Sequence, residues 1–143
     1  MEENIRTIIR GDSYALRRPL YTYTLVDENL DPLNLAGCTV RTTYRSAPAS
    51  VTEDPTDGSA VWKGTLKIDS NGVPTLTEGM ALKGTAMEGV VEVRLSAEDS
   101  RKLPENLELI SDLEVTDAQG EKFTFVFEEK LKAVDGITHR LEG

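Results

Sequence analysis

The sequence contains one cysteine, Cys38, and one histidine, His139, so two residue types that often build metal and catalytic sites are almost missing. A single cysteine excludes an internal disulfide and favours assembly in a reducing cytoplasm. One histidine near the C-terminus and one distant cysteine cannot complete a zinc site. A Cys38–His139 nucleophile pair lacks an orienting third group, and the alternating pattern around Cys38 predicts a small buried residue instead.

Long apolar runs and a basic N-terminal leader are also missing. No stretch approaches the about 20 apolar residues of a membrane-spanning helix. The N-terminus is acidic where a signal peptide is basic, so we expect neither membrane contact nor export. The glycines between 58 and 79 are isolated and none of them opens a helix, so no phosphate-binding loop is predicted and no cofactor is expected.

Basic residues are few, because 16 lysines and arginines stand against 25 aspartates and glutamates, and the formal net charge is −9. Such an excess of negative charge repels a phosphate backbone, so binding of nucleic acid requires that the basic residues cluster. Along the sequence they are scattered, and the densest group is the pair Arg17-Arg18. The sequence therefore predicts no nucleic-acid partner.

Most of the chain alternates apolar and polar residues with a period of two, which gives a strand one dry and one wet face. This pattern is typical of antiparallel sheets. Turn-forming clusters at 27–29, 69–72 and 117–120 separate the runs, and Asn71-Gly72 favours a primed hairpin turn. The residues predicted to share dry faces are Tyr21, Tyr23 and Leu25; Cys38, Val40 and Tyr44; Trp62, Leu66 and Ile68; Val91, Val93 and Leu95; Leu107, Leu109, Leu113 and Val115; and Phe123, Phe125 and Phe127.

One segment has the pattern of a short helix. Ser96 is a capping residue, acidic residues follow it, basic residues come last and Pro104 ends the run. We predict a helix over about 96–103, and leave 76–88 open between a loop and a weak strand pair. The length fits a single domain over 1–143, with a core over about 10–130 and terminal arms over 1–9 and 131–143. The predicted fold class is an all-β antiparallel sandwich with this one helix.

The acidic loop over 47–60 contains the candidate metal ligands Glu53, Asp54 and Asp57. Clustered carboxylates on a loop with a glycine are the donors that calcium prefers. Their spacing lacks the regular alternation of a dedicated calcium loop, so a solvated acidic loop is the alternative. The same alternative applies to the acidic segment over 27–31.

Aromatic residues are the other candidate for ligand binding. Tyr21 and Tyr23 share one strand face, and such a row could form a platform for a sugar ring. The alternative is the core of the sandwich, since two packed sheets fill the space between them with large alternating residues. We predict the core for the phenylalanine row and for Trp62, whose indole N–H then needs a partner.

The ends of the chain are apolar enough to require a partner or an adjacent strand. Ile5, Ile8 and Ile9 lie in one terminal segment, and Leu131 and Val134 lie in the other. These five are the candidate interaction residues, because an edge strand is a template for strand addition by another chain.

Three motifs follow one another along the chain: Arg10-Gly11-Asp12-Ser13, then Pro32-Leu33-Asn34-Leu35-Ala36-Gly37-Cys38-Thr39-Val40, then Ser96 to Pro104. In this order they resemble the immunoglobulin-like β-sandwich modules of tailed-phage virion proteins, and they are similar to the N-terminal domain of baseplate upper proteins. The resemblance spans about residues 10–130. The chain departs from the family after its helix, where Pro104-Glu105-Asn106-Leu107 replaces the usual P-x-G-x-Y.

The resemblance implies an immunoglobulin-like fold and a non-enzymatic structural subunit of the virion, in the tail, the baseplate or a connector. Its expected partners are other virion proteins and copies of itself, with assembly in the host cytoplasm. A capsid decoration protein is the alternative within this class. A calcium- or carbohydrate-binding module is the alternative from another class. An enzyme is least favoured, because the sequence shows no acid–base pair with supporting context.

Overall fold

The protein is described by a computed structural model that covers residues 5–15, 17–46, 60–126 and 130–136. Within these ranges the chain forms strands, one short helix, and a 3₁₀ turn over Ala86–Glu88. The strands are β1 (Ile5–Arg10), β2 (Tyr21–Thr24), β3 (Thr39–Ser46), β4 (Ala60–Ile68), β5 (Pro74–Glu78), β6 (Met80–Leu82), β7 (Val90–Val93), β8 (Glu108–Thr116), β9 (Lys122–Val126) and β10 (Lys130–Asp135), and the helix is α1 (Ala97–Lys102).

Two sheets form among the described strands. The large sheet has the order β1-β10-β8-β3-β4-β5, and β9 pairs with β8 beside β10. The small sheet has the order β2-β7-β6. Every described strand pair is antiparallel except β1 with β10, which is parallel. The predicted all-β, sandwich-like fold class is confirmed.

The core consists mostly of the dry strand faces that the period of two predicts, although Leu107, which was predicted to share the dry face of β8, precedes that strand and is 40% exposed. Large fully buried side chains come from both sheets, including Leu66, Leu109 and Leu113 from the large sheet and Val91 from the small sheet. Burying such apolar surface contributes about 25 cal/mol per Å² removed from water, so these faces are the main source of stability. The sequence therefore identified the interior correctly for most strands.

The helix α1 begins and ends where its capping residues indicate. The Ser96 Oγ accepts a hydrogen bond from the Asp99 N–H at 3.1 Å, as an N-cap does. The Asp99 Oδ2 in turn accepts from the Trp62 indole N–H at 3.2 Å. The partner that the half-buried indole requires is thus supplied by the helix, which connects the small sheet to β8.

The two terminal segments pair with each other in the described structure. Strands β1 and β10 align in parallel, with Ile9 opposite Val134 and Ile8 opposite Ala133. Ile8 and Leu131 are core residues, whereas Ile5 is 38% exposed. The ends are therefore held by each other and by β8, and an interaction role for the exposed members of this set stays a prediction.

Two local expectations are wrong. The wet face predicted for Glu92 is not found: Glu92 is only 7% exposed, and its carboxylate accepts from the Arg94 guanidinium at 3.0 Å. The turn at Asn71-Gly72 is not of the primed kind. Gly72 has a positive φ of 82° and Asn71 does not, so the turn is of type I followed by a left-handed residue.

Buried Tyr44 makes stability sensitive to alkaline pH. Burial raises the pKa of Tyr44 well above its ordinary value, and Tyr23 and Tyr21 raise it further. The unfolded chain then loses this proton near pH 10 while the folded chain retains it, so the stabilisation is intact below pH 10 and is lost as the pH rises above it. We expect urea unfolding between pH 8 and pH 11 to show a smaller loss of stability for Tyr44→Phe than for the wild type. Parallel pH curves would contradict this expectation.

Candidate interaction site

The phenylalanine row is less buried than predicted at the two positions that the structure describes, and Phe127 lies outside the described residues. Phe125 is half-buried against the core, and Phe123 is 42% exposed. Their register partners on β8, Leu113 and Val115, are buried, so both rings lie on the core side of the large sheet. The prediction that Phe123 is a core residue is wrong, and the reason is that β9 lies at the sheet margin where it is not fully covered.

Strand β9 presents an open edge in the described part of the chain. It pairs with β8 on one side, from Lys122 opposite Thr116 to Val126 opposite Asp112. No described strand pairs with its other side. Alternate backbone N–H and C=O groups of an edge strand point away from the sheet, which makes the edge able to add a strand from another chain.

A tight turn faces this strand. The Asp27 Oδ1 accepts hydrogen bonds from the backbone N–H groups of Asn29 at 2.9 Å and Asp31 at 3.1 Å. The same pattern recurs at Asp69 and Asp117, whose Oδ1 atoms also accept from the N–H groups two and four residues later. The carboxylate of each turn is therefore engaged in holding its own loop.

The first of these turns differs from the other two at its fourth residue. Gly72 and Gly120 occupy this position in the later turns, with φ of 82° and 86°. Leu30 occupies it in the first turn, with φ of 66° and a side chain that is 79% exposed. An exposed leucine in a conformation that favours glycine is a costly arrangement, and such outliers cluster at sites of function.

An open groove runs between this turn and β9, and we call it the β9 groove. Its volume is about 450 Å³, within the range of about 300–1,000 Å³ that binding pockets occupy. It combines two aromatic rings with two carboxylates, so it suits a partner with apolar and basic groups. The lining residues are Val26, Asp27, Glu28, Asn29, Leu33, Phe123, Thr124 and Phe125.

The other predicted sites are not assembled as binding sites in the described residues. Tyr21 and Tyr23 stack on each other with ring centroids 5.6 Å apart, and the Arg6 guanidinium lies 4.9 Å from the Tyr21 ring. Both tyrosines pack against the core, so they form no open platform. Cys38 is buried as predicted, and burial, with a smaller contribution from Asp117, raises the pKa of its thiol. A raised pKa disfavours the nucleophilic thiolate.

The candidate calcium ligands Glu53, Asp54 and Asp57 lie outside the described residues, as does His139. Within the described ranges, no group of three or more His, Cys, Asp or Glu side chains is placed to hold a metal ion. No helix in the part of the chain that the structure describes is long and apolar enough to cross a membrane.

The exposures of the two rings predict unequal effects of truncation. Truncating a fully buried phenylalanine to alanine lowers the free energy of unfolding by about 3–5 kcal/mol. Because Phe125 is only half-buried, we expect Phe125→Ala to lower it by about 2 kcal/mol. Phe123→Ala is expected to lose less than about 1 kcal/mol. Urea denaturation of both variants measures the difference. Equal losses would mean that the two rings are equally covered, and that the groove is closed.

Replacing Leu30 by glycine is expected to stabilise the protein by about 0.5–1 kcal/mol. The left-handed conformation costs a residue with a Cβ about 1–2 kcal/mol, and the greater freedom of glycine in the unfolded chain offsets part of the gain. The midpoint of urea unfolding is the measurement. A destabilised Leu30→Gly variant would show that the leucine side chain contributes to folding, and would remove the reason to assign it to a binding role.

The sequence pattern did not predict a role for Leu30 or Leu33, or the exposure of Phe123. A signal for Leu30 was present, since the three Asp-initiated turns align and only the first lacks glycine at its fourth residue. Comparison with known proteins adds no assignment, because no protein-family model, no curated protein and no solved structure matches this chain.

Proposed function

We propose that this chain is a non-enzymatic structural subunit of a bacteriophage virion, in the tail, the baseplate or a connector, that assembles with other virion proteins through the β9 groove. The observation that carries the proposal is the exposed Phe123 ring on an open strand edge. An aromatic ring in a partly apolar groove is the kind of side chain that dominates the binding energy of protein interfaces.

Further support comes from how the motifs of the phage resemblance are used. The Gly11 N–H and the Asp12 carbonyl both bond to the Ser100 Oγ, at 2.8 and 2.7 Å. The first and third motifs of the resemblance therefore form one packed unit, although they lie nearly 90 positions apart. These two motifs serve as framework, and neither contributes a residue to the β9 groove.

Mass spectrometry of gradient-purified particles tests the location. The proposal expects this chain at a constant ratio to the major virion proteins across the particle peak. Its absence from purified particles would overturn the proposal. A particle reconstruction then separates the tail, baseplate or connector from the alternative position, the surface of the capsid.

A pair of matched variants tests the groove. Phe123→Asp places a charge in the groove, and Met87→Asp places the same charge on another exposed apolar side chain that does not line it. We expect Phe123→Asp to reduce incorporation into particles at least about tenfold, as the loss of about 1.4 kcal/mol of binding would do, while Met87→Asp has little effect. Equal incorporation of both variants would exclude the groove as the contact.

Carbohydrate binding is the second candidate, favoured by the combination of an exposed Phe123 ring with the polar side chains of Asp27 and Asn29 in one groove. Aromatic faces pack on sugar rings and carboxylates accept from their hydroxyl groups. A glycan array with the purified chain is the test. Binding that Phe123→Ala abolishes would favour this function over assembly.

A further inference from the structure

Basic residues that are scattered along the sequence come together on one face of the large sheet. In strands β3, β4, β8, β9 and β10, the register and the period of two direct every lysine and arginine away from the core. We call this surface the basic face. Its cations are Arg41, Arg45, Lys63, Lys67, Lys122, Lys130 and Lys132, and its anions are Glu78 of β5, Glu108, Asp112 and Glu114.

The seven cations and four anions give the basic face a formal charge of +3, so the rest of the chain carries −12, because the whole chain is −9. Three of the four anions are not fully available to a partner. Glu108 and Glu114 lie 3.8 Å from Lys130 and Lys122. Asp112 is half-buried, and burial raises the pKa of its carboxyl while the Arg45 guanidinium acts in the opposite direction.

A shallow polar cleft of about 250 Å³ crosses the basic face. It is framed by Arg41 and Lys63 and floored by Thr42 and Gly64. Arg41 is exposed, and the hydroxyl groups of Thr43 and Thr65 add hydrogen-bond donors beside the two cations. The exposed Arg41 guanidinium and the two hydroxyls beside it suit a carboxylate of a partner.

A negatively charged complement to this surface belongs to the chain itself. The turns at Asp27, Asp69 and Asp117 carry six carboxylates, and we call these three turns the acidic end. The last two turns both border Gly37: its N–H donates to the Asp69 carbonyl, and a Cβ there would lie 3.3 Å from the Ala118 side chain. The carboxylates of the acidic end are Asp27, Glu28, Asp31, Asp69, Asp117 and Glu121.

We propose that copies of this chain associate head to tail, with the acidic end of one copy on the basic face of the next. This inference rests on the proposed assembly function and names the partner as a second copy. A contact between two different surfaces does not close on itself at two copies, so it generates rings or filaments. At about 0.1 M salt the screening length is about 10 Å, so adjacent opposite charges outweigh the repulsion between two acidic molecules.

Sedimentation velocity of the purified chain at 100 mM NaCl is the test. The wild type is expected to increase in size with concentration between 5 and about 200 μM, and to dissociate in 500 mM NaCl. A wild type that stays monomeric over this range would overturn the inference. This outcome would leave the virion assignment intact, since that depends on the mass spectrometry of particles.

Charge reversal shows which surfaces meet. Arg41→Glu with Lys67→Glu alters the basic face, and Glu28→Lys with Glu121→Lys alters the acidic end. Each double variant alone is expected to be monomeric, and an equimolar mixture is expected to associate again, because each variant retains the surface that the other has lost. Variants that associate as the wild type does, or a mixture that stays monomeric, would overturn the head-to-tail contact.

Arg101→Glu with Lys102→Glu is the matched control, because it changes the net charge by the same amount at the end of α1, away from both surfaces. It is expected to associate as the wild type does. A fluorescent single-stranded oligonucleotide serves as a competing polyanion. If a monomeric wild type bound the oligonucleotide, and charge reversal at Arg41 and Lys67 abolished that binding, the partner of the basic face would be nucleic acid and not a second copy. This result would overturn the inference.

Discussion

Replacing Gly79 with alanine is expected to lower the free energy of unfolding by about 2–4 kcal/mol. Gly79 has a φ of 73°, where a residue with a Cβ is strained. A Cβ at this position would also lie 2.5 Å from Cζ2 of Trp62 and 2.8 Å from its Cη2. The backbone term contributes about 1 kcal/mol and overpacking contributes about 1–3 kcal/mol.

The Trp62 ring cannot move aside at low cost. Its indole N–H donates to Asp99, and its ring packs edge-on against Tyr44 with centroids 5.6 Å apart. The ring also lies close to Gly64, where a Cβ would be 3.0 Å from the Trp62 Cη2. The ring therefore lies over two glycines and is held in place by the helix and by the core.

Gly120→Ala is the matched control for this prediction. Gly120 has a φ of 86°, and a Cβ there would meet no atom within 4 Å, so its cost is the backbone term alone, about 1 kcal/mol. Urea denaturation of both variants separates the cost of the backbone conformation from the cost of overpacking against Trp62. Adding Trp62→Phe to Gly79→Ala is expected to recover part of the loss. Equal losses for Gly79→Ala and Gly120→Ala would show that the ring is free to move.

Replacing Ser100 with alanine is expected to lower the free energy of unfolding by about 2–3 kcal/mol. Ser100 is fully buried in α1, where its Oγ accepts from the Gly11 N–H and donates to the Asp12 carbonyl. The alanine variant leaves both backbone groups without this partner inside the junction between β1 and the helix. Arg10 strengthens the same junction, since its guanidinium donates to the Arg101 carbonyl at 2.8 Å and to Asp135 at 2.9 Å.

Ser96→Ala is the control on the same helix. It removes the N-cap hydrogen bond and is expected to cost about 1 kcal/mol without affecting the junction. Hydrogen exchange distinguishes the two variants: Ser100→Ala is expected to expose the amides of β1, and Ser96→Ala only those of the first turn of α1. Protection of β1 that is unchanged in Ser100→Ala would show that the serine does not hold the strand.

Local features were predictable because their causes lie within a few residues. The cap at Ser96, the charges that follow it and Pro104 determine α1 without help from the rest of the chain. The alternation on β3 and β8 likewise determines which residues share a face, so Val40, Leu109 and Leu113 were assigned to the interior correctly. The turn after β4 was located correctly, although its type was not.

The same alternation does not report whether a second layer covers the face. Phe123 and Leu113 have the same phase with respect to the core, yet Phe123 is exposed because β9 lies at the sheet margin. Glu92 was assigned to a wet face, yet it is only 7% exposed and is paired with Arg94. Coverage depends on which strands become neighbours, and that is decided by contacts distant in sequence.

By itself, the sequence determined an all-β chain with a correctly placed short helix, and strands whose dry faces were nearly all identified. Only the tertiary structure decided that β1 pairs with β10, that Ser100 links the helix to Gly11, and that the scattered cations share the basic face. The physical reason is the range of the forces involved. Capping and alternation act over a few residues, whereas strand order, layer coverage and the summed charge of a surface arise only when distant segments are brought together.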